Sequence, residues 1–551
     1  MSSSTAEATI GTPDTGPDVQ NGRKLRKNVI LGFLSLSTFM IFLDGTVVNT
    51  ALPAIARDFG ANNSVLQWVV NMYSLILAGL LLVGGSLGDR FGRRRALAGG
   101  MVVFGLGAVG AALAEDSTTL VVMRGIQGLG AAFALPSTLS IITDVFPRTE
   151  RAKAIIIWTA IGSMGIAVGP ALGGYLVDEI SWSAVFWLNI PVVVLSLIGL
   201  KFIPESKDSR RRPIDYAGAV LATGGLLAVV YGIIQGGEAG WTSGEILGSL
   251  IGGAALLALF AIVEARSSHP MLPLHYFKRA DFTGSFTVIM LFFLGVVGIF
   301  FFTTQFYQLV QGRTALVAGL ALTPVAPMMI MGTGISSKTV PSIGPKFTIV
   351  TAGLIVMIGI AVFSQLEVDT AIWIPIVGMM IFGIGFGMAM PTVTDTIMAS
   401  VPVNDAGVGS AMNDLSRELG FVLGVAILGS LAASLYRTNV TDAISGLVPD
   451  GVSEAIGNSI GAVGSIAAEL PADVALVVTE SAHASFVDAL NIAFLAAAGF
   501  VGLGIVVALA LVPRRSRSVQ AELEDVSSDS VPAEVESSSG AGAESVPAGA
   551  D

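Results

Sequence analysis

The chain has 551 residues, 53% of them hydrophobic and only 13% charged, whereas roughly a quarter are charged in soluble globular proteins, so an ordinary soluble domain is excluded. It contains no cysteine, which excludes disulfides, thiol nucleophiles and cysteine metal sites. The formal net charge of −11 says little about partners: eight acids lie in the Ser/Gly/Pro/Ala-rich stretch after Arg517, which has no Lys or Arg, and the rest of the chain carries −3.

In chain order, residues 1–28 read as a disordered N-terminal tail; the first 22 hold no Lys or Arg and do not form the basic-then-apolar start of a cleaved signal. Apolar runs of about twenty residues, each enough to cross a bilayer as a helix, then recur near 29–51, 66–88, 96–114, 119–143, 153–177, 184–203, 217–235 and 246–265. Six more follow near 281–310, 316–337, 347–366, 372–399, 405–436 and 484–512. The reading is therefore an all-α integral membrane protein with fourteen transmembrane helices. Charge placement tests the count, because cytoplasmic loops collect Lys and Arg. With fourteen spans and the N-terminus inside, the inner loops and tails hold 24 Lys and Arg, and the outer loops hold Arg57, Arg313 and Arg437. Both termini are thus predicted to be cytoplasmic, with 437–483 a long outer loop able to form short surface helices and 513–551 an acidic disordered tail.

In the first span, Asp44 sits among apolar residues, ~10 Å inside the outer end near Ala51. An ionisable group at that depth costs a few kcal/mol or more and marks a functional site. Between the second and third spans runs Gly85-Ser86-Leu87-Gly88-Asp89-Arg90-Phe91-Gly92-Arg93-Arg94-Arg95. Its glycines allow a tight turn and close helix approach, and Asp89 can accept hydrogen bonds at a helix N-terminus. The fourth span opens with Arg124-Gly125-Ile126-Gln127-Gly128-Leu129-Gly130. Arg124 either snorkels to the outer surface or meets Asp44; if they meet, it favours the ionised carboxylate. In the fifth span, Gly165, Gly169 and Gly173 recur every fourth residue beside Pro170 and Gly174, giving one smooth face for close helix packing.

The ninth span is rich in aromatics and amides, including Phe302 and Gln305, and the twelfth in Met and Phe, including Phe386. Such surfaces suit flat or cationic ligands of varied shape, and Asn49, Gln127, Gln305, Phe302 and Phe386 are assigned to a substrate cavity. In the thirteenth span, Asn413, Asp414, Arg417 and Glu418 form a polar cluster. Arg417 pairs more naturally with Asp414 or Asn413 than with its neighbour Glu418, and the cluster reads as structural or gating.

The loop after the second span resembles the signature loop of the major facilitator superfamily, and Leu43 to Pro53 resembles the signature of its fourteen-span drug:proton antiporters. The Arg124 string matches the family's R-x-x-Q-G-x-G form, and Gly165 to Gly174 is similar to its antiporter motif. Gly344-Pro345-Lys346 looks like a worn second copy of the loop. The resemblance spans about residues 29–512. It implies two pseudo-symmetric six-helix bundles, 29–205 and 281–512, joined by 206–280 with an inserted helix pair. It also implies a cytoplasmic latch between the halves built on Gly85, Asp89, Arg90, Gly92, Arg93 and Asp144, and proton coupling at Asp44 and Arg124.

The functional expectation is a multi-pass cell-membrane antiporter exporting small amphipathic compounds, with protons and the lipid bilayer as its other partners, no nucleic acid, and no named accessory protein. No cofactor is called for. No G-x-x-x-x-G-K-[ST] loop is present, so the proton gradient is the expected energy source. A dedicated exporter or symporter of one metabolite, lipid or self-made antibiotic is the alternative. An integral membrane enzyme is remote: His269, His275 and His483 lie far apart in the sequence, and no catalytic or metal-ligating residue is assigned.

Overall fold

The computed structural model describes residues 17–207, 215–267, 270–402 and 406–514. The acidic stretch expected as a tail from 513 lies almost wholly outside the described residues, as do 1–16. The rest of the expected N-terminal tail is helical, because the first helix already begins at Pro17.

No strand occurs among the described residues. In chain order the helices are α1 (Pro17–Phe59), α2 (Asn63–Phe91), α3 (Arg93–Ala112), α4 (Ser117–Val145), α5 (Arg148–Glu179), α6 (Ala184–Trp187) and α7 (Asn189–Gly199). Then come α8 (Tyr216–Ala239), α9 (Gly244–Arg266), α10 (Ala280–Gln305), α11 (Ala315–Leu322), α12 (Val325–Phe363) and α13 (Trp373–Ala399). The last are α14 (Ala406–Ala443), α15 (Asp450–Asn458), α16 (Val463–Ala467) and α17 (Ala472–Leu511). Several starts follow from short polar side chains that satisfy the first free amides. Asn62 accepts from the Val65 amide at 3.1 Å, Asp116 from Thr119 at 2.8 Å and Asp215 from Gly218 at 2.7 Å.

Thirteen helices among the described residues are long and apolar enough to cross a membrane, one fewer than the sequence suggests. The difference lies in one 49-residue segment, Ala315–Phe363, which as a straight helix would measure about 73 Å. It is not straight. Gly344 breaks it with φ 83° and ψ 165°, a backbone shape open to glycine, and Pro345 follows directly. Before the break, Val325 and Met328 pack on Gly383, and Met329 on Gly387; after it, Ala352 and Val356 pack on Gly385, and Val362 and Phe363 on Gly378. The first half therefore runs parallel to α13 and the second half antiparallel, so the chain doubles back past the same level.

Helices α1 to α7 pack on one another, as do α10 to α14 and α17. Alternating passage puts Arg90, Arg93 to Arg95, Arg266, Lys278, Arg279 and Arg514 at one end of the bundle, here the basic end, and Arg57, Arg313 and Arg437 at the opposite end. The pair α8 and α9 stands outside both groups. Its α8 lies against α2 and α14 together, while α9 is almost wholly exposed in its most apolar stretch. At the opposite end, the 444–471 connection folds α15 and α16 over the bundle, burying Ile456, Ile460 and Val463.

Candidate functional site

The first and fourth predicted spans meet at Asp44, which is 0% exposed, as Arg124 is at 1%. Arg124 Nη1 donates to Asp44 Oδ2 at 2.5 Å and to Gln127 Oε1 at 2.9 Å, and its Nε donates to the Val69 carbonyl at 3.0 Å. The second carboxylate oxygen, Oδ1, accepts from Gln127 Nε2 at 3.2 Å and from Asn189 Nδ2 at 2.7 Å. The guanidinium lies 4.5 Å from the centre of the Tyr73 ring and 5.9 Å from that of Phe186, so π faces add to its stabilisation. Arg124 therefore turns inward to Asp44 and does not snorkel outward. Gln127, assigned from sequence to a substrate cavity, spends its amide on this ion pair. Asn189 was missed. Its signal was a lone amide in the apolar run of the sixth span, the kind of residue that in a membrane helix must find a partner.

On both sides of Asp44, α1 is held by α5. A Cβ on Gly165 would collide with the Phe39 carbonyl, on Gly169 with Thr46, and on Gly173 with Thr50 and Val47. Gly174 and Pro170 turn the other way: Gly174 meets Ala315 and Leu316 of α11, and Gly319 meets the Pro170 carbonyl. Asp178 adds bonds from the amides of Ala315 at 3.0 Å and Leu316 at 2.8 Å. The glycine motif thus has two working faces, one within the first helix group and one between the groups. Two further bonds cross between the groups, Thr304 Oγ1 to the Asn49 carbonyl and Gln308 Nε2 to the Thr50 carbonyl, both at 3.1 Å.

At the basic end, Gly92 has φ 124°, the conformation the turn between α2 and α3 needs. Arg93 Nε donates to Asp89 at 2.9 Å and its Nη1 stands 3.6 Å from Asp144. All three belong to the first helix group, and Arg93 spans from α3 to α4 through the Ser140 carbonyl as well. Gly88 packs on Ser137 and Gly85 on Pro136, while Arg90 is exposed over the Phe91 ring. Sequence reasoning missed Glu205, which caps the start of α3. It accepts from the Arg94 amide at 3.2 Å and pairs with Arg95 at 3.7 Å.

In the second group, Asn413 Nδ2 donates to Asp414 at 3.3 Å, and Arg417 stands 4.0 Å from Asp414. Thr394 of α13 ties the cluster down, donating to Asn413 at 3.0 Å and accepting from Arg417 at 3.3 Å. Glu418 reaches across to the Ser74 hydroxyl of α2. Asp414 and Arg417 keep 26% and 28% of their side-chain surface accessible. Phe293, 5.9 Å from the Arg417 guanidinium, packs on Phe386. Phe302 is buried against Phe494 and Gln305 bonds its own helix at the Phe301 carbonyl; both line a small cavity with Asn63 and Gln67, away from this cluster. Of the residues assigned to a cavity, only Phe386 adjoins this cluster; Asn49 is 4% exposed.

The family described as Major Facilitator Superfamily matches residues 34–425. The chain is 35% identical over 479 residues to the multidrug efflux pump LfrA of Mycolicibacterium smegmatis, covering 86% of this chain and 93% of that one. It is 32% identical over 490 residues to the tetracenomycin C resistance and export protein of Streptomyces glaucescens, covering 88% and 91%. Among solved structures, it superposes with a TM-score of 0.58 at 19% identity on a bacterial homologue of the human lysosomal transporter Spinster, covering 88% of this chain and 98% of that one.

Proposed function

Because this chain belongs to the Major Facilitator Superfamily and is a multi-pass membrane transport protein rather than an enzyme, we propose that it exports drug-like amphipathic molecules in exchange for protons. The observation that carries the coupling is the buried Asp44–Arg124 pair. Three donors from Arg124, Gln127 and Asn189 converge on the carboxylate and favour its ionised form, so a proton competes with the Arg124 charge for the same group. Binding the proton removes the charge that holds Arg124, and with it the link between α1, α4 and α7. Proton occupancy thereby becomes a choice between two helix arrangements, which is what coupling requires. Asp44 has no exposed surface, so drug and proton compete through helix position and not by direct contact.

In this reading the basic end is cytoplasmic, both termini lie on that side of the cell membrane, and the doubled-back 315–363 segment makes two of fourteen crossings. The two helix groups are bundles that rock about the pseudo-symmetry axis, alternately closing each end. Asp89, Arg93 and Asp144 form the half of the cytoplasmic latch that the first bundle supplies. The energy source is the proton gradient.

A second reading, a dedicated exporter of one compound, has the tetracenomycin relative in its favour. One experiment separates the two and tests both. Reconstituted protein is challenged with a panel of lipophilic cations and neutral drugs while a pH-sensitive dye follows proton release, with Asp44→Asn as control. Release with several panel members, lost in the variant, supports multidrug antiport; release with one alone supports the dedicated exporter. Undiminished gradient-driven export by Asp44→Asn refutes the role given to Asp44.

A further inference from the structure

Two seams separate the helix groups, and the structure treats them differently. Along α5, residues 156, 160, 163, 167, 170 and 174 form one stripe at helical spacing. Its burial is graded: Ile156 is 67% exposed, Ala160 and Ser163 are exposed, Ala167 is half-buried, and Pro170 and Gly174 are buried against α11. The facing stripe has the same gradient. Ala315, Gly319 and Leu322 are buried, Ala326 is half-buried, and Ile330 (75%), Thr333 and Ser337 are exposed. The seam is therefore a V, shut at the opposite end by backbone-close packing and open over its basic half.

The other seam, between α2 and α14, is filled. Val230 and Ile234 of α8 are buried between Leu75 of α2 and Val422 and Ala426 of α14. Thr223 sits where a Cβ on Gly79 would be, and Ser430 packs on Gly237. Toward the basic end the connection after α9 continues the filling: Tyr276 and Leu272 pack among Ala78, Ile397 and Met412. Glu264 of α9 holds that connection in place by accepting from the Leu272 amide at 3.1 Å.

We propose that the inserted helix pair makes membrane access one-sided: it seals the α2/α14 seam, and amphipathic molecules dissolved in the inner leaflet reach the space between the helix groups through the α5/α12 mouth. The inference rests on the exporter reading above. The mouth fits such molecules because its open stripes mix exposed apolar side chains, Ile156 and Ile330, with the exposed polar Ser163 and Ser337 at different depths. Inward, α14 sets Asp414 and Glu418 near Arg417, acceptor groups that suit an amphiphile with a cationic head.

The chain has no cysteine, so single cysteines report cleanly. Ser163→Cys and Ser337→Cys at the mouth, and Ala78→Cys and Thr223→Cys in the filled seam, are reconstituted in bilayers and treated with pyrene maleimide delivered through the lipid, with and without tetraphenylphosphonium. The mouth positions should label at least tenfold faster than the filled positions, and tetraphenylphosphonium should slow the mouth positions alone, by threefold or more. Equally rapid labelling of both seams, or mouth labelling indifferent to tetraphenylphosphonium in protein that exports it, overturns the one-sided portal. Export of tetraphenylphosphonium by the unsubstituted chain is measured in parallel; its absence counts against the exporter reading, while the labelling ratio still decides whether the seams differ.

Discussion

Gly173 and Gly174 are neighbours in sequence and face different partners, so the same substitution at each should do different things. A Cβ on Gly174 would lie 2.6 Å from Leu316 Cα and 2.7 Å from the Ala315 carbonyl carbon, well inside contact distance, and neither backbone can be turned aside. Gly174→Ala must push α5 and α11 apart. Overpacking of this kind costs about 1–3 kcal/mol, but only while the two helix groups touch at the opposite end. The penalty therefore falls on one conformation and shifts its equilibrium with the other by roughly 5- to 150-fold. On Gly173 the Cβ would meet the Val47 carbonyl at 2.7 Å, within the first group and in both conformations. Gly173→Ala should lower thermal stability without changing the conformational balance. The assay is the labelling rate of a single cysteine at Thr314 by an impermeant maleimide added on that side, read beside the melting temperature. If Gly174→Ala leaves labelling unchanged, or Gly173→Ala raises it as much, α5 is not the element that closes this end.

Asn189→Leu removes one of the donors to Asp44 Oδ1; leaving a buried carboxylate short of a donor should cost about 1–3 kcal/mol, measured as lost thermal stability, and export should fall with less harm to insertion. Glu205→Ala uncaps α3 and should cost about 1 kcal/mol, seen as faster hydrogen exchange of the Arg94 amide, with Glu205→Gln recovering part of the protection. Asp116 caps α4 at the opposite end, where the Thr119 hydroxyl and amide hold its carboxyl below the usual carboxylate range. The cap should contribute above the unfolded value near ~3.9 and be lost as pH falls through the folded one, a dependence that Asp116→Asn should remove from acid unfolding curves.

The sequence carried the helices well because a backbone in lipid has few options, and apolar length marks nearly every span. The reversal inside the long 315–363 segment was legible too, as a break between the runs near 316–337 and 347–366: Gly344 and Pro345 are the local signal, and the two halves pack against α13 in opposite senses. The Asp44–Arg124 pair was legible because buried charge is costly and needs a partner at equal depth. Asn189 was harder, since an amide is cheaper to bury than a charge and nothing near it repeats a pattern. Glu205 could not be read at all from local sequence, because it caps a helix that begins more than a hundred residues earlier. The seam-filling role of α8 is likewise invisible in a helix whose apolar residues look the same whether they face lipid or protein.

Residues 44 to 50 of α1 join these features in less than two turns, about 9 Å of helix. Asp44 faces α4 and α7 through Arg124 and Asn189. Thr46, Val47 and Thr50 fill the glycine face of α5, which in turn abuts α11 through Gly174. The carbonyls of Asn49 and Thr50 accept the two bonds from Thr304 of α10 and from Gln308 in the turn that follows it. A change at Asp44 that lets α1 slide or rotate by even a fraction of a turn must break the close α5 fit or those two bonds, since interfaces packed at backbone distance have discrete arrangements and little give. Closure of the end opposite the basic loops and the charge at Asp44 are therefore properties of one rigid segment. In the proposed exchange, that is a sufficient physical route for a proton to govern access without ever meeting the drug.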